Sequence, residues 1–135
     1  KFSVKWKMHI YCTTCSKDKS TYEGRIAAIQ RYQDERITSV YHKSQQDKKG
    51  FRILSGKYGL LAPTDEIPWY DQVLLLNEVN NMIDLTALQL EHADVSSVEL
   101  FVKDPQENPD WQNYITTMVG ACSKLEIELE VKYLD

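Results

Sequence analysis

The stretch FRILSGKYGLLAP, residues 51–63, combines a strand pattern with a glycine-bounded loop. Residues 51–54 are apolar apart from one arginine and have the length of a short strand. The helix predicted before them ends near Gly50, which suits the left-handed position at a helix end. Gly56 and Gly59 stand three residues apart and predict a tight loop after the strand. A helix, a short strand and a loop in this order are typical of an α/β protein.

Strand and helix patterns alternate along the rest of the chain as well. Alternating or continuous apolar segments predict further strands over residues 4–13, 98–102 and 125–133. Segments with helical spacing predict helices over residues 22–30, 34–50, 77–92 and 108–122. Asp34 and Asn108 are the expected caps of two of these helices, and Pro63 and Pro68 hold the chain extended between them. The last strand alternates apolar with charged side chains, so we expect it at an edge of the sheet.

This order of elements predicts an α/β fold: a single-domain, Rossmann-like three-layer arrangement with a mostly parallel sheet of about four strands. The 135 residues suit one domain, residues 1–135, with residues 1–7 as an N-terminal extension. No apolar run approaches the roughly 18 residues of a membrane helix, and no signal-peptide pattern opens the chain. We therefore expect a cytoplasmic protein that does not associate with a membrane.

Charge is distributed unevenly between the two halves of the sequence. Residues 1–57 contain 13 Lys and Arg against 5 Asp and Glu, a net charge of +8, whereas residues 58–135 contain 3 against 15, a net charge of −12. The basic half favours phosphate groups, while the acidic half repels a polyanion that covers the whole molecule. This distribution favours a local phosphate site over a DNA-coating surface. Solvated helix faces of uneven sign are the alternative interpretation.

Basic residues follow the first strand and surround the start of the helix that Asp34 caps. Behind the first strand, hydroxyl and ammonium groups suit an anion, although the glycines of a phosphate-binding loop are absent. At the helix start, an arginine suits an anionic ligand because the helix end is itself positive. The candidate ligand-binding residues of these two groups are Ser16, Lys17, Lys19, Arg31, Tyr32 and Arg36. A solvated loop and surface arginines are the structural alternatives.

The third candidate group lies in the glycine-bounded loop and in the tail that follows it. The glycines permit close backbone approach to a ligand, tyrosine rings suit stacking on a base or sugar, and an aspartate supplies acid/base or nucleophilic chemistry. The candidate ligand-binding residues are Ser55, Gly56, Tyr58 and Gly59. The candidate catalytic residues are Lys57, Tyr70 and Asp71, with Asp65 as an alternative carboxylate.

Cysteine usage leaves a redox alternative open. Cys12, Cys15 and Cys122 are odd in number and have no repeated spacing, so an extracellular disulfide framework is not expected. Cys12-x-x-Cys15 after a strand is compatible with a thiol redox pair. A zinc site lacks a second closely spaced pair of ligands. We therefore expect no metal and no cofactor.

Two parts of the sequence carry a resemblance to a known family. SGKYGLL at residues 55–61, followed by Pro63 and by IPWYD at residues 67–71, resembles a family of small bacterial and phage domains of unassigned function. These domains share an SxKYGLL…P…I…YD core with the peroxide-stress protein YaaA and look distantly like accessory domains of tRNA-guanine transglycosylases. CSKDK at residues 15–19 matches the family's CSKxK strand end, and Arg31-Tyr32 falls at its Arg/Tyr stretch.

The resemblance covers residues 9 to about 75, and Trp69 departs from it because relatives often place Tyr directly after Pro. It implies a Rossmann-like α/β domain with a nucleotide or nucleobase pocket, linked to nucleic-acid modification or stress response. It does not supply a reaction.

These observations predict an enzyme-like domain that binds a nucleotide, nucleoside or nucleobase and performs N-glycosidic or base-modification chemistry. In this hypothesis the basic residues of the first two groups hold phosphate, Tyr58 and Tyr70 stack on or orient the ligand, and Asp71 is the acid/base or nucleophile. The partner is a nucleotide-like small molecule or the end or base of a nucleic acid. The alternatives are a non-catalytic nucleic-acid-binding stress-response module and a thiol redox protein.

Overall fold

The computed structural model describes residues 8–134, which form a five-stranded sheet with helices on both faces. The strands are β1 (Met8–Thr14), β2 (Ile26–Ala27), β3 (Gly50–Ser55), β4 (Gly59–Leu61), β5 (Glu66–Ile67), β6 (Val95–Lys103) and β7 (Glu128–Leu134). The helices are α1 (Ala28–Arg31), α2 (Glu35–Gln46), α3 (Val79–His92) and α4 (Asp110–Leu125), with a 3-10 turn at Leu76–Glu78 before α3. None of the helices in this part of the chain is both long and apolar enough to cross a membrane.

The main sheet has the strand order β4-β3-β1-β6-β7. β3, β1, β6 and β7 are parallel, and β4 pairs antiparallel with β3. The expectation of an α/β protein with a mostly parallel sheet is confirmed, and β7 lies at an edge of the sheet as its alternating pattern predicts. β2 and β5 form a separate two-stranded antiparallel pair.

The fifth strand of the main sheet is β4, which the sequence pattern does not reveal. Its three residues follow the loop after β3, and Gly59 adopts a φ of 72° where the chain turns back. Ser55 then pairs with Gly59, and Leu54 with Leu60, in an antiparallel hairpin. Three residues are too few to show a strand period, so the pairing with β3 decides this element.

The prediction of a helix over residues 22–30 is wrong for most of that range. Gly24 has a φ of 104°, and residues 26–27 form β2 instead, which pairs with Glu66–Ile67. Only the one-turn helix α1 follows. The physical reason is that the strand partner lies about 40 positions further along the chain, beyond the reach of a local pattern.

The caps of α2 and α4 are confirmed, but the end of α2 is not where the sequence places it. The Asp34 carboxylate accepts the Arg36 N–H at 2.9 Å, and Asn108 Oδ1 accepts the Asp110 N–H at 3.0 Å. Lys48, with a φ of 56°, takes the left-handed position expected for Gly50. Gly50 begins β3, where a Cβ atom would lie 3.0 Å from the Ile10 side chain.

The first predicted strand extends over residues 4–13, and the structure describes it from residue 8 onward. Residues 1–7, including the expected N-terminal extension, lie outside the described residues. In the described part of the chain, β1 is the central strand of the sheet, and its Ile10 and Cys12 side chains are almost fully buried.

Crossover connections set where a ligand site forms in this sheet. From β1 the chain passes through α2 to β3 on one side, and from β6 it passes through α4 to β7 on the other side. The carboxyl ends of β1 and β6 are therefore neighbours from which the chain departs in opposite directions. In open α/β sheets, ligands bind in the crevice at such a point.

Candidate functional site

A cleft of about 610 Å³ opens at the carboxyl ends of β1 and β6. Four parts of the chain form its walls: the loop after β1, Asp34 at the start of α2, the segment at residues 71–73, and the start of α4 with the residues before it. The lining side chains are Cys15, Ser16, Lys17, Asp18, Lys19, Asp34, Asp71, Gln72, Val73, Asn108, Asp110, Trp111 and Tyr114. The cleft thus lies where the strand order predicts a ligand site.

Charged groups of both signs face this cleft. Two ammonium groups come from the loop after β1, and four carboxylates come from four separate parts of the chain. The lysines are Lys17 and Lys19, and the aspartates are Asp18, Asp34, Asp71 and Asp110. This cleft is therefore not a uniformly positive phosphate site. Its charges suit a ligand that carries an anionic group together with hydrogen-bond donors.

Four of the residues expected from the sequence line the cleft together. Ser16 is buried in the wall, where its hydroxyl donates to the Asp18 carbonyl at 2.7 Å. The Lys19 ammonium group lies 4.7 Å from the centre of the Tyr70 ring, which holds this side chain at the cleft border. Lys17 and Asp71 are exposed at the cleft and available to a ligand.

Arg36, expected to hold phosphate, instead holds the end of β1. Its Nη1 donates to Thr13 Oγ1 at 2.6 Å and to the Thr14 carbonyl at 2.9 Å, and its Nη2 donates to the Cys15 carbonyl at 3.3 Å. Asp34 forms an ion pair with it at 3.4 Å. Because the side chain is almost fully buried, Arg36 supports the cleft from behind and does not contact a ligand in it.

Arg31 is fully buried and also has a structural role. Its five N–H groups donate to the carbonyl oxygens of Ser20, Tyr22, Gly24 and Ile67, the last of which accepts two of them. A guanidinium has five donors, so none remains for a phosphate. Arg31 ties residues 20–24 to the β5 segment, and the expectation that it binds a ligand is wrong.

Tyr32, Ser55 and Tyr70 form a buried hydroxyl network beneath the cleft. The Ser55 and Tyr70 hydroxyls are 2.8 Å apart, and the Tyr70 hydroxyl is also hydrogen-bonded to that of Tyr32. Ser55 Oγ accepts the N–H groups of Lys57 and Tyr58. Burial raises the pKa of both tyrosines well above the ordinary range. Tyr70 is covered by its neighbours and offers no ring face to a ligand, so it orders the loop after β3.

The glycine-bounded loop packs closely against neighbouring segments of the chain and does not border the cleft. A Cβ atom on Gly56 would lie 2.9 Å from Leu74 N and 2.9 Å from the Tyr114 hydroxyl, and one on Gly59 would meet the Gln89 side chain. Lys57 is exposed, and its Nζ lies 5.4 Å from the Tyr58 ring centre and 5.7 Å from that of Tyr70. These residues do not line the cleft. Close packing of the chain, and not access for a ligand, explains the two glycines.

Trp111 is the aromatic cleft residue that the sequence analysis did not identify as part of a site. Its helical spacing places it among the core residues of α4, yet the indole is half-buried and lines the cleft. The strand-end rule that selects the loop after β1 applies equally to the loop after β6, which leads to Trp111. Applied to the loop after β6, this rule would have identified Asn108, Asp110 and Trp111 as candidate site residues.

The cysteines are buried and unbridged. Cys12 is fully buried, and burial raises the pKa of its thiol well above the ordinary range. Burial likewise raises the pKa of Cys122 to about 12. The Cys15 thiol donates to the Tyr114 hydroxyl at 3.6 Å. A buried, protonated Cys12 is a poor nucleophile, so nothing here supports thiol redox chemistry at Cys12-x-x-Cys15.

A second cleft of about 620 Å³ lies between β3, β4 and the end of α3. Arg52, Asp65 and His92 are among its lining residues. It stands beside the sheet edge, away from the carboxyl ends of the parallel strands, and holds none of the ligand-binding residues expected from the sequence. In residues 8–134, no three His, Cys, Asp or Glu side chains come together as metal ligands.

Comparisons of the chain with models of protein families, with curated proteins and with solved structures gave no match. The resemblance of residues 9–75 to the family with the SxKYGLL core therefore stays a prediction.

Proposed function

We propose that this protein binds a nucleoside or nucleoside monophosphate in the cleft at the ends of β1 and β6 and acts on its N-glycosidic bond. The observation that carries the proposal is the meeting of an aromatic face, two ammonium groups and several carboxylates in one cleft at the crossover point of the sheet. The proposal includes a Rossmann-like arrangement of the chain as one domain, which the strand order and the helices on both faces support.

Each part of such a ligand has a complementary group in the cleft. The Trp111 indole suits stacking on a base, because every base has a π face. Lys17 and Lys19 suit a single phosphate group. Asp71 suits the sugar in one of two roles: as a general base it takes a proton from a water molecule that attacks the anomeric carbon, or as a nucleophile it forms an ester with that carbon, which water then hydrolyses. In both routes the C–N bond breaks, and the base departs with the bonding electrons and takes up a proton.

The charge balance favours a nucleoside or monophosphate over a longer polyanion. Four carboxylates and two ammonium groups line the cleft, so each added phosphate increases the repulsion. The same carboxylates accept hydrogen bonds from sugar hydroxyls and from exocyclic amines. A ligand with many donors and one negative group thus fits best.

A second candidate function is the binding of a single-stranded nucleic acid without catalysis. Tyr22 and Trp69 are 61% and 53% exposed, and three positions after Tyr22 the basic Arg25 is exposed as well. Aromatic side chains beside basic ones suit bases and phosphates of a single strand. This candidate corresponds to the stress-response module that the sequence leaves as an alternative.

The test is calorimetric titration with nucleosides, nucleoside monophosphates, free bases and short oligonucleotides at two salt concentrations. Binding of a small ligand with little salt dependence supports the first candidate. Binding of oligonucleotides alone, with affinity that falls steeply as salt rises, supports the second.

Turnover is then compared between Asp71→Asn and a control, Asp84→Asn, which changes an exposed aspartate on α3 that pairs with Lys124. We expect Asp71→Asn to lower turnover of the bound nucleoside by about 100-fold or more, as for loss of an acid/base group, with Asp84→Asn unchanged. Equal turnover of the two variants would reject the role of Asp71.

A further inference from the structure

The outer edge of β7 has no strand partner in the part of the chain that the structure describes. β7 pairs with β6 on its inner side along all seven residues, Glu128–Leu134. At about 3.3 Å per residue, this edge presents a row of backbone N–H and C=O groups about 23 Å long. An exposed strand edge of this length is a template for pairing with another chain.

The side chains of β7 alternate regularly between the two faces of the sheet. Glu130 and Lys132 pair in register with Glu99 and Phe101 of β6 and lie on the α2 face. Val131 and Tyr133 lie on the opposite face, toward α4. Tyr133 is 57% exposed, so more than half of this large side chain is open to solvent at the edge.

The order of these side chains is complementary to itself in one antiparallel register. If a second β7 runs antiparallel with Val131 on the two-fold axis, Glu130 lies opposite Lys132 of the partner subunit, and Leu129 lies opposite Tyr133 of the partner subunit. Both pairs occur twice because of the symmetry. Opposite charges and aromatic–aliphatic pairs directly across two strands stabilise an antiparallel pair.

The neighbouring registers are less favourable. Moving the axis by one residue to Glu130 keeps two opposite-charge pairs, Glu128 with Lys132 of the partner subunit, but adds two glutamates directly opposite each other at the axis. Moving it to Lys132 places two lysines at the axis and leaves no opposite-charge pair. Like charges directly opposite destabilise the strand pair. Only the register centred on Val131 combines two opposite-charge pairs with no like-charge pair, so the charge pattern favours it over its nearest competitors, as a defined interface requires.

We propose that β7 is a homodimer interface, in which two copies of this chain join their sheets edge to edge through antiparallel β7 strands centred on Val131. The resulting sheet has ten strands, and the surface patch is self-complementary, as a two-fold interface demands. The pairing gives hydrogen-bond partners to the backbone N–H and C=O groups at the outer edge of β7, and it covers Tyr133. This inference concerns a surface distinct from the cleft and is independent of the proposed function.

Sedimentation velocity on the full chain, with charge-reversed variants, tests the interface. The wild type should be dimeric at micromolar concentrations. Glu130→Lys and Lys132→Glu should each weaken the dimer by about tenfold or more, because each converts two attractive pairs into repulsive ones. The double variant Glu130→Lys/Lys132→Glu should restore the dimer, since the opposite charges again face each other. An equimolar mixture of the two single variants should form a heterodimer for the same reason.

Loss of the fold does not explain a loss of dimer in these variants. Glu130 makes no ion pair among the described contacts, and the Lys132–Glu99 pair at 3.5 Å is half-exposed, so its removal costs little. Circular dichroism checks that each variant is folded. A monomeric wild type at 100 micromolar, or a dimer unaffected by both single variants, would overturn the proposal.

Oxidative crosslinking locates the axis. Val131→Cys should form an intermolecular disulfide readily, because residues directly opposite across an antiparallel pair lie close to disulfide distance. Ser39→Cys is the matched control, an exposed position on α2 that should not crosslink. The native cysteines Cys12, Cys15 and Cys122 are buried and do not compete. Equal crosslinking of the two variants would reject the β7 interface.

Discussion

The guanidinium of Arg36 lies 5.1 Å from the centre of the Trp111 ring. Arg36 belongs to the helix that leads away from β1, and Trp111 belongs to the helix that leads away from β6. Their contact joins the two walls of the cleft at the point where the chain departs in opposite directions. A cation on an aromatic face is favourable and also orients the indole, leaving its other parts to the cleft.

Replacement of Trp111 tests whether the indole binds a base. Trp111→Ala should weaken nucleoside binding by about tenfold or more, since stacking of one base contributes roughly 1–3 kcal/mol. Trp111→Phe should retain most of the affinity because it keeps an aromatic face. Titration calorimetry measures both, with Val119→Ala, an exposed site on α4, as the control. Undiminished affinity in Trp111→Ala would contradict the stacking role.

Replacement of Arg31 should affect stability and not binding. Arg31→Lys keeps the charge but has three donors in place of five, so it leaves buried carbonyl groups without a partner. We expect the free energy of unfolding to fall by about 2 kcal/mol or more, measured by urea denaturation. The folded fraction should bind the nucleoside with unchanged affinity. Reduced affinity with unchanged stability would instead place Arg31 at the ligand.

An added methyl group at Gly56 should disturb the cleft indirectly. In Gly56→Ala the new Cβ would stand 2.9 Å from Leu74 N and from the Tyr114 hydroxyl, so the segment that carries Asp71 must move. We expect the free energy of unfolding to fall by about 1–3 kcal/mol. Nucleoside affinity should fall as well. Ser39→Ala, on the exposed side of α2, serves as the control for urea denaturation and calorimetry. Wild-type stability in Gly56→Ala would contradict the packing described here.

Alkaline pH should destabilise the protein through its buried tyrosines. Burial raises the pKa of Tyr32, Tyr70 and Tyr114 above the ordinary value near 10. The folded state therefore holds these protons more tightly than the unfolded state. Their contribution to stability is fully present below pH 10 and declines as the pH rises above it.

Spectrophotometric titration of the phenolate, in parallel with circular dichroism, checks this pH dependence. The three buried tyrosines should ionise together with unfolding. Complete ionisation of all tyrosines before any loss of structure would show that the three hydroxyls are not buried.

Local signals in the sequence predicted the elements that depend on near neighbours. Asp34 and Asn108 cap their helices because a cap needs only an N–H group two positions further along the chain. The same locality explains the strand pattern of β7. The end of α2 differs from the prediction because Gly50 lies in β3, where it packs against Ile10 of β1. Lys48 adopts the left-handed backbone conformation instead.

The candidate site was only partly predictable from the sequence, because part of it depends on contacts between distant segments. The strand-end rule selected the loop with Ser16, Lys17 and Lys19, and these residues line one cleft together with Asp71. Arg31 and Arg36 look like ligand-binding residues in a sequence, but whether a guanidinium meets phosphate or backbone carbonyls depends on which segments fold around it. Trp111 has the helical spacing of a core residue, and only its place beside the crossover point exposes it to the cleft.

The sequence by itself determined the alternation of strands and helices, the two helix caps and the edge position of β7, because periodicity and capping act over a few residues. Tertiary structure alone decided the strand order β4-β3-β1-β6-β7, the burial of both arginines and the meeting of Lys17, Asp71 and Trp111 in one cleft. These features depend on contacts between residues up to about a hundred positions apart, such as Cys15 with Tyr114, and the free energy of packing selects them.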